Sequence, residues 1–326
     1  ATGRDFQVRG ELSIRLMPTL AVLAHDVTLS NADWGSRPAM LTVNRIAFAI
    51  ALRPLLDGEI RILSIDVEGA DILLESDGKG GGNWVFGGHG EPAAAGPAID
   101  LDQLGIANSQ ISYRDAGQGT TLRLDVEKLD LRKQGDQARL SLALDFEKQH
   151  WLIDGQIGRA LGLLNDEADW PFDLHLVTEG AKFSAKGMLG TGARAGSVHA
   201  DVSAGISNAG FLQAVGAGEV MLPVPLDMHA TLVRSADAIH ADPLRVSHAG
   251  EEVTGRLSVA GSGKKLHVAG QLSAPSFDLA KWFPGKPGAA AASKGREQLF
   301  GDTPLPFAAL PSLPVQLEFR VDRLLL

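Results

Sequence analysis

The sequence predicts a mainly β protein: a long, curved, antiparallel meander sheet with an apolar concave face and few short helices. Three observations predict it. Apolar side chains recur at every second residue over most of the chain, the spacing that sends successive side chains to opposite faces of a strand. Turn formers are abundant and spread out, with 38 glycines and 16 prolines among 326 residues, so connections are many and short. Helical periodicity is scarce, which leaves few crossovers and favours antiparallel neighbours over βαβ units.

The alternation can be followed along the chain. Phe6, Val8, Gly10, Leu12, Ile14 and Leu16 form a first set, and Val27 and Leu29 a second. Leu41 and Val43 alternate, then Ile46, Phe48, Ile50 and Leu52 after a slip of one residue. Ile65 and Val67 precede Ile72 and Leu74. Leu122, Leu124 and Val126 slip and resume at Leu129 and Leu131, followed by Leu140, Leu142, Leu144 and Phe146. Phe172, Leu174 and Leu176 come next, then Leu257 and Val259, then Leu266, Val268, Gly270 and Leu272. Val315, Leu317, Phe319 and Val321 close the series. A one-residue slip is the mark of a β-bulge, which bends a strand, so bulges are expected at 44–45 and 127–128. Short helices are expected at 208–215 and 277–283, with a weaker signal at 159–164.

Two stretches lack any periodicity, 87–97 (GGHGEPAAAGP) and the start of 284–298 (PGKPGAAAASK). They read as flexible connectors. The expected organisation is a β segment over 1–86, the linker 87–97, a repeat-like β segment over 98–283, the linker 284–298, and the start of a further unit over 299–326. The chain has no initiator Met and ends within an alternating pattern, so it reads as a fragment of something longer.

Composition narrows the function. The net charge is −9, which argues against nucleic acid as the main ligand, since phosphates need a basic footprint. There is no cysteine, so disulfides, thiolate metal sites and a cysteine nucleophile are absent. One tyrosine and few aromatics argue against base-stacking platforms. No apolar run reaches the roughly 18 residues of a spanning helix.

A sheet with one apolar face must cover it. It can pack on a second sheet, close into a barrel, or leave a groove for an apolar ligand. Composition alone favours the sandwich; the groove also fits, because the inward positions are nearly all aliphatic.

Catalytic motifs are nearly wanting. Gly261, Ser262, Gly263, Lys264 and Lys265 look like the end of a phosphate loop but lack its first glycine and its Ser or Thr, and read as a hairpin turn. No two of the nine histidines have metal-ligand spacing, and each reads as a surface or strand-edge residue. Asp100 and Asp102 share a strand face and read as a solvated edge. Two places carry more information. Val27 to Gly35 is a strand end followed by Ser30, Asn31 and Trp34, read as a capped strand with Trp34 as a packing plug. The glycine turn before Asn83 and Trp84 reads as a hairpin with a buried Trp anchor.

Together these two places resemble the AsmA family of bacterial envelope proteins. The order is similar throughout: Gly3 and Arg4 before the first strand, which ends at Pro18; Leu29, Ser30, Asn31, Ala32, Trp34 and Gly35; then Pro54, Leu55, Leu56, Gly58 and Ile60; then Ala70 to Glu75; then Gly82, Asn83 and Trp84. The stretch 299–310 (LFGDTPLPFAAL) is similar to a later element of the family.

The resemblance implies a chorein-like start followed by β-groove units, as in bridge-like lipid transfer proteins. It implies a periplasmic location, anchored to the inner membrane by a helix before the present chain. It implies transport of membrane lipid toward the outer membrane and support of outer-membrane biogenesis, with outer-membrane components as partners. Phospholipid is the expected cargo, and sterol or hopanoid would also suit an aliphatic lining. No catalytic residue, metal, cofactor or nucleic-acid partner comes with it. The alternative is a non-enzymatic assembly factor with a closed β-sandwich that affects outer-membrane protein assembly. The groove lining expected on this reading is Val8, Leu12, Ile14, Val27, Leu29, Leu41, Val43, Ile46, Phe48, Ile50, Ile65, Val67, Ile72, Leu74, Leu122, Leu124, Val126, Leu140, Leu142, Leu144, Phe146, Leu174 and Leu176.

Overall fold

The structure is a computed structural model and describes residues 4–16, 19–56, 61–77, 81–85, 100–117, 119–159, 169–191, 196–208, 210–211, 223–235, 238–261, 267–282 and 315–325. The connectors 87–97 and 284–298, the 299–310 stretch, Gly58 and the side chains of Leu55 and Leu56 lie outside the described residues. So do Gly3, Pro18, Ile60 and most of the expected helices at 208–215 and 159–164. The chain forms two compact units, Ala1–Asn165 and Asp166–Leu326.

Unit 1 is an open, mostly antiparallel meander. Its strands are β1 (Phe6–Val8), β2 (Leu12–Arg15), β3 (Leu20–Ser30), β4 (Ala39–Ile50), β5 (Arg61–Ser76), β6 (Asp100–Asp115), β7 (Thr120–Gln134), β8 (Gln137–Phe146) and β9 (Gln149–Gly158). β1 and β2 share one edge of β3, and each later strand pairs with the one before it. Unit 2 repeats the plan with β10 (Trp170–Thr178), β11 (Ala181–Leu189), β12 (Val198–Ile206), β13 (Leu226–Arg234), β14 (Ala238–His248), β15 (Glu251–Ala260), β16 (His267–Ala274) and β18 (Val315–Val321). β17 (Phe277–Asp278) and β19 (Leu324–Leu325) pair separately. Within each unit the main strands belong to one sheet, and among the described residues substantial contacts between strands join only hydrogen-bonded neighbours.

Three details differ from the sequence reading. Two joins in the main sheets are parallel, β5–β6 and β16–β18. A parallel pair needs a crossover of a dozen or more residues. Both unpatterned connectors lie in these places. Second, Leu52 does not extend β4. It opens a short helix, α1 (Leu52–Leu56), because Pro54 has no N–H to give a ladder and is tolerated in a first helical turn. In the 277–283 stretch, β17 precedes the one-turn α2 (Leu279–Trp282).

The third difference concerns the slip at 44–45. Register is kept there: His25 pairs with Arg45 and Val27 with Val43, while on the other side Val43 pairs with Ala70 and Arg45 with Glu68. Asn44 thus faces Asp26 on one side and Gly69 on the other. Both partners are left-handed, at φ 51° and 65°. Asn108 on β6 follows at φ 49°, and the expected bulge at 127–128 on β7 is present between Val126 and Lys128. One transverse line of irregular backbone therefore crosses β3 to β7. A β-bulge in one strand would shift register; irregularity in neighbouring strands at one level does not.

Gly69 serves this line in two ways. Its φ favours glycine, and a Cβ there would overlap Asn44 Nδ2. Gly69→Ala is expected to destabilise unit 1 by about 1–3 kcal/mol, read as a lowered urea midpoint. An unchanged midpoint would show that the line tolerates an ordinary residue.

Candidate functional site

Because paired residues share a face, the register assembles the apolar positions of unit 1 into rows. One row is Phe6, Leu29, Leu41, Ile72, Ile111 and Leu124. The next is Val8, Val27, Val43, Ala70, Ser109, Val126, Leu144 and Trp151. Across the irregular line come Leu12, Ala24, Ile46, Val67, Ile106, Leu129, Leu142 and Ile153. The fourth is Ile14, Val22, Phe48, Ile65, Leu104, Leu131 and Leu140. Ile50, Leu74, Leu122 and Phe146 extend the same face by alternation. All the residues from Val8 to Phe146 expected to line a groove are on this one face.

At strand spacings of ~4.8 Å and two-residue steps of ~7 Å, the four rows cover roughly 34 by 20 Å. The centre is packed, with Ala24, Val27, Val43 and Ala70 buried among Leu41, Ile46, Val67 and Ile72. Toward one edge Leu12 and Ile14 are exposed. Ser109 is the polar residue in the rows, and it is satisfied: its hydroxyl accepts from Ala70 N at 3.0 Å and donates to Ala107 O at 2.8 Å. It replaces ladder bonding at the irregular line.

The opposite face is polar. Arg45 and Glu68, Arg123 and Asp125, and Arg132 and Asp130 pair across or along it. Such exposed pairs contribute little to stability, but they keep that face wet. Unit 2 has the same two-sided character. Leu174 lies in a row with Ala185, Val202, Ala230, Leu244, Gly255, Leu272 and Phe319, and Leu176 in a row with Phe183, Ala204, Met228 and Val246.

The motif residues do something else. Asn31 and Asn83 are buried at one end of unit 1. Asn83 Nδ2 donates to Asn31 Oδ1 at 2.9 Å and to Leu73 O at 2.8 Å, and Asn83 Oδ1 accepts from Glu75 N. Asn31 Nδ2 donates to Glu75 Oε2 and to Arg37 O, and Ser36 N donates to the same carboxylate oxygen. Arg114 lies 3.4 Å from Glu75 Oε1, and Arg4 Nη2 donates to Asn83 O. Ser30 Oγ accepts from Asp5 N, and a Cβ on Gly35 would overlap Asn31. These contacts knot the chain near Arg4, the β3–β4 loop and the ends of β5 and β6. Pro54 sits apart, in α1.

Glu75 is the hub, and its role was not legible from sequence. It closes an alternating run, and its unusual burial is set by loops far away in the chain. Burial pushes its carboxyl up, but donors from Ser36 and Asn31 and the Arg114 charge outweigh that and hold it below the ordinary value of 4.5. In unit 2, Glu251 accepts from Asp278 N and Trp282 Nε1 at 3.0 and 2.9 Å. The Asp278 N–H bond leads in lowering its pKa; burial opposes it, and Trp282 and Lys281 reinforce the lowering.

Three sequence expectations are corrected here. Trp34 is not a plug, and Trp84 is not a buried anchor: they are 48% and 41% exposed, while Asn83 is 0% exposed. The asparagine amides satisfy backbone and carboxylate partners inside, so the adjacent rings point out. His248 is buried rather than at the surface, with Nδ1 2.7 Å from Pro225 O and its ring edge on Trp282.

Asn83→Ala should cost about 2–4 kcal/mol, because it strands buried partners in the knot, measured by urea unfolding against an exposed-site control. Ionised Glu75 and Glu251 have lowered pKa values, so their stabilisation is complete above about pH 4.5 and lost as pH falls through the folded-state values. Urea midpoints should therefore fall as the pH drops below about 4.5, and Glu75→Gln should flatten part of that slope. A slope unchanged by the substitution would remove Glu75 from the acid response.

The family model "AsmA family" matches residues 1–208. No curated protein and no solved structure matches the chain. The matched span takes in the knot, the whole apolar face of unit 1 and the first strands of unit 2, and the chain belongs to the AsmA family.

Proposed function

We propose that this protein carries lipid acyl chains along the apolar face of its sheets, in the bacterial periplasm, and moves lipid between the inner and outer membranes in support of outer-membrane biogenesis. One observation carries the reading. A broad aliphatic face lies on one open sheet whose strands, among the described residues, make substantial contacts only with their hydrogen-bonded neighbours. A closed sandwich would need a second sheet facing it.

The energetics explain why such a face is needed. A two-chain lipid crossing water bare exposes about 30 methylenes, on the order of 24 kcal/mol at ~0.8 kcal/mol each. A carrier has to keep the chains on apolar surface throughout. Aliphatic rows do this without a headgroup pocket, and the headgroup stays in solvent. The reading is non-enzymatic, with no cofactor or metal, and it takes phospholipid as cargo, sterol and hopanoid being the competing apolar guests.

The test is uptake of a fluorescent short-chain phospholipid by delipidated protein, with mass spectrometry of the lipid that co-purifies. Leu142→Asp and Phe48→Asp are expected to abolish uptake while lowering stability by less than about 2 kcal/mol, because the new carboxylate still reaches water. No uptake by the parent protein, or full uptake by both variants, would overturn the proposal.

A further inference from the structure

Two turns at the knotted end of unit 1 present the same unusual side chain. Gly35 N donates to Ala32 O and Val85 N donates to Gly82 O, so Trp34 and Trp84 each hold the third position of a tight turn. Exposed turns ordinarily place small or polar residues there. Here two large indoles are about half exposed, and Val85 next to Trp84 is 60% exposed. The bond between Asn83 and Asn31 ties the two turns together, so both indoles stand at the same knotted end of unit 1. Unit 2 offers the contrast: Phe211 and Trp282, both outside its strands, are buried against their own chain.

The geometry points to a bilayer surface as the partner of this end, with Trp34 and Trp84 seated in the headgroup region. Indoles favour that layer because the ring is apolar and the N–H stays wet. Charge selects the kind of bilayer. Asp33 is exposed beside Trp34, and Arg114 is exposed but paired with Glu75. Mixed charges of this sort suit a zwitterionic headgroup rather than an anionic sheet, which attracts basic clusters. The rim is continuous with the apolar face: Trp84 packs 6.2 Å from the Tyr113 ring, and Tyr113 pairs with Leu74 and Leu122 in the sheet. A lipid leaving the bilayer at this rim would meet aliphatic surface at once.

The test is flotation of the chain with vesicles of phosphatidylcholine and phosphatidylethanolamine, alongside quenching of tryptophan emission by brominated lipids in the same vesicles. The chain should float, and Trp34→Ser with Trp84→Ser should lower partitioning about tenfold or more. Trp34→Phe with Trp84→Phe keeps apolar rings and the fold, and should lose most of the quenching. Uptake of soluble short-chain lipid should persist in every variant, which separates this inference from the acyl-chain reading. Failure to float, binding only to phosphatidylglycerol vesicles, or quenching retained without Trp34 and Trp84 would overturn it.

Discussion

A single-layer sheet has two faces, and the whole arrangement depends on keeping the same one apolar from end to end. In unit 1 that is not automatic. Strands β3 to β7 are crossed by the line of Asp26, Asn44, Gly69, Asn108 and Glu127. An irregular residue in one strand would turn everything beyond it to the wrong side. Because neighbours break at the same level, residues three apart, such as Ala24 and Val27 or Val67 and Ala70, stay on one face and pack together. The sheet gains a bend without losing its sidedness.

The knot answers a different constraint. The end of a sheet leaves backbone groups without ladder partners, and these must be satisfied when buried. Asn31 and Asn83 supply amides that mimic missing backbone, and the Glu75 carboxylate accepts from Asn31 Nδ2 and Ser36 N. A buried carboxylate is costly unless it is well hydrogen-bonded; here the donors outweigh burial, as the lowered pKa records. Glu251 solves the same problem in unit 2 with Asp278 N and the Trp282 indole. The family motif is thus mainly architecture, and it frees the tryptophans for the surface.

Sequence legibility followed interaction range. Period-two alternation is local, so the strands and the shared face of Val8 through Phe146 could be read directly. The slip at Val126 was read as a bulge and is one. The slip at Asn44 gives the same local signal, yet its outcome depends on Gly69 and Asp26, far off in sequence and only adjacent once the strands pair. The parallel joins were hidden for the same reason, although the unpatterned connectors lay at both. Large aromatics are usually buried, which makes Trp34 look like a plug and Trp84 like a buried anchor; the signal against both is their place beside asparagine and glycine in tight turns.

Uniformity of the apolar face is itself a functional argument. A pocket that recognised a headgroup would hold a lipid at one place, and release would then cost what recognition gained. On the proposed lipid-carrying reading, rows of aliphatic side chains offer a chain of similar sites, so the free energy of a guest changes little from one strand to the next. Ser109 is instructive because it lies in the middle of this surface, yet its hydroxyl is turned into the backbone at Ala70 and Ala107. It presents no donor to a passing hydrocarbon. A surface that is greasy, continuous and unselective holds a lipid out of water while leaving it free to move, and a polar reverse face keeps the same sheet in solution.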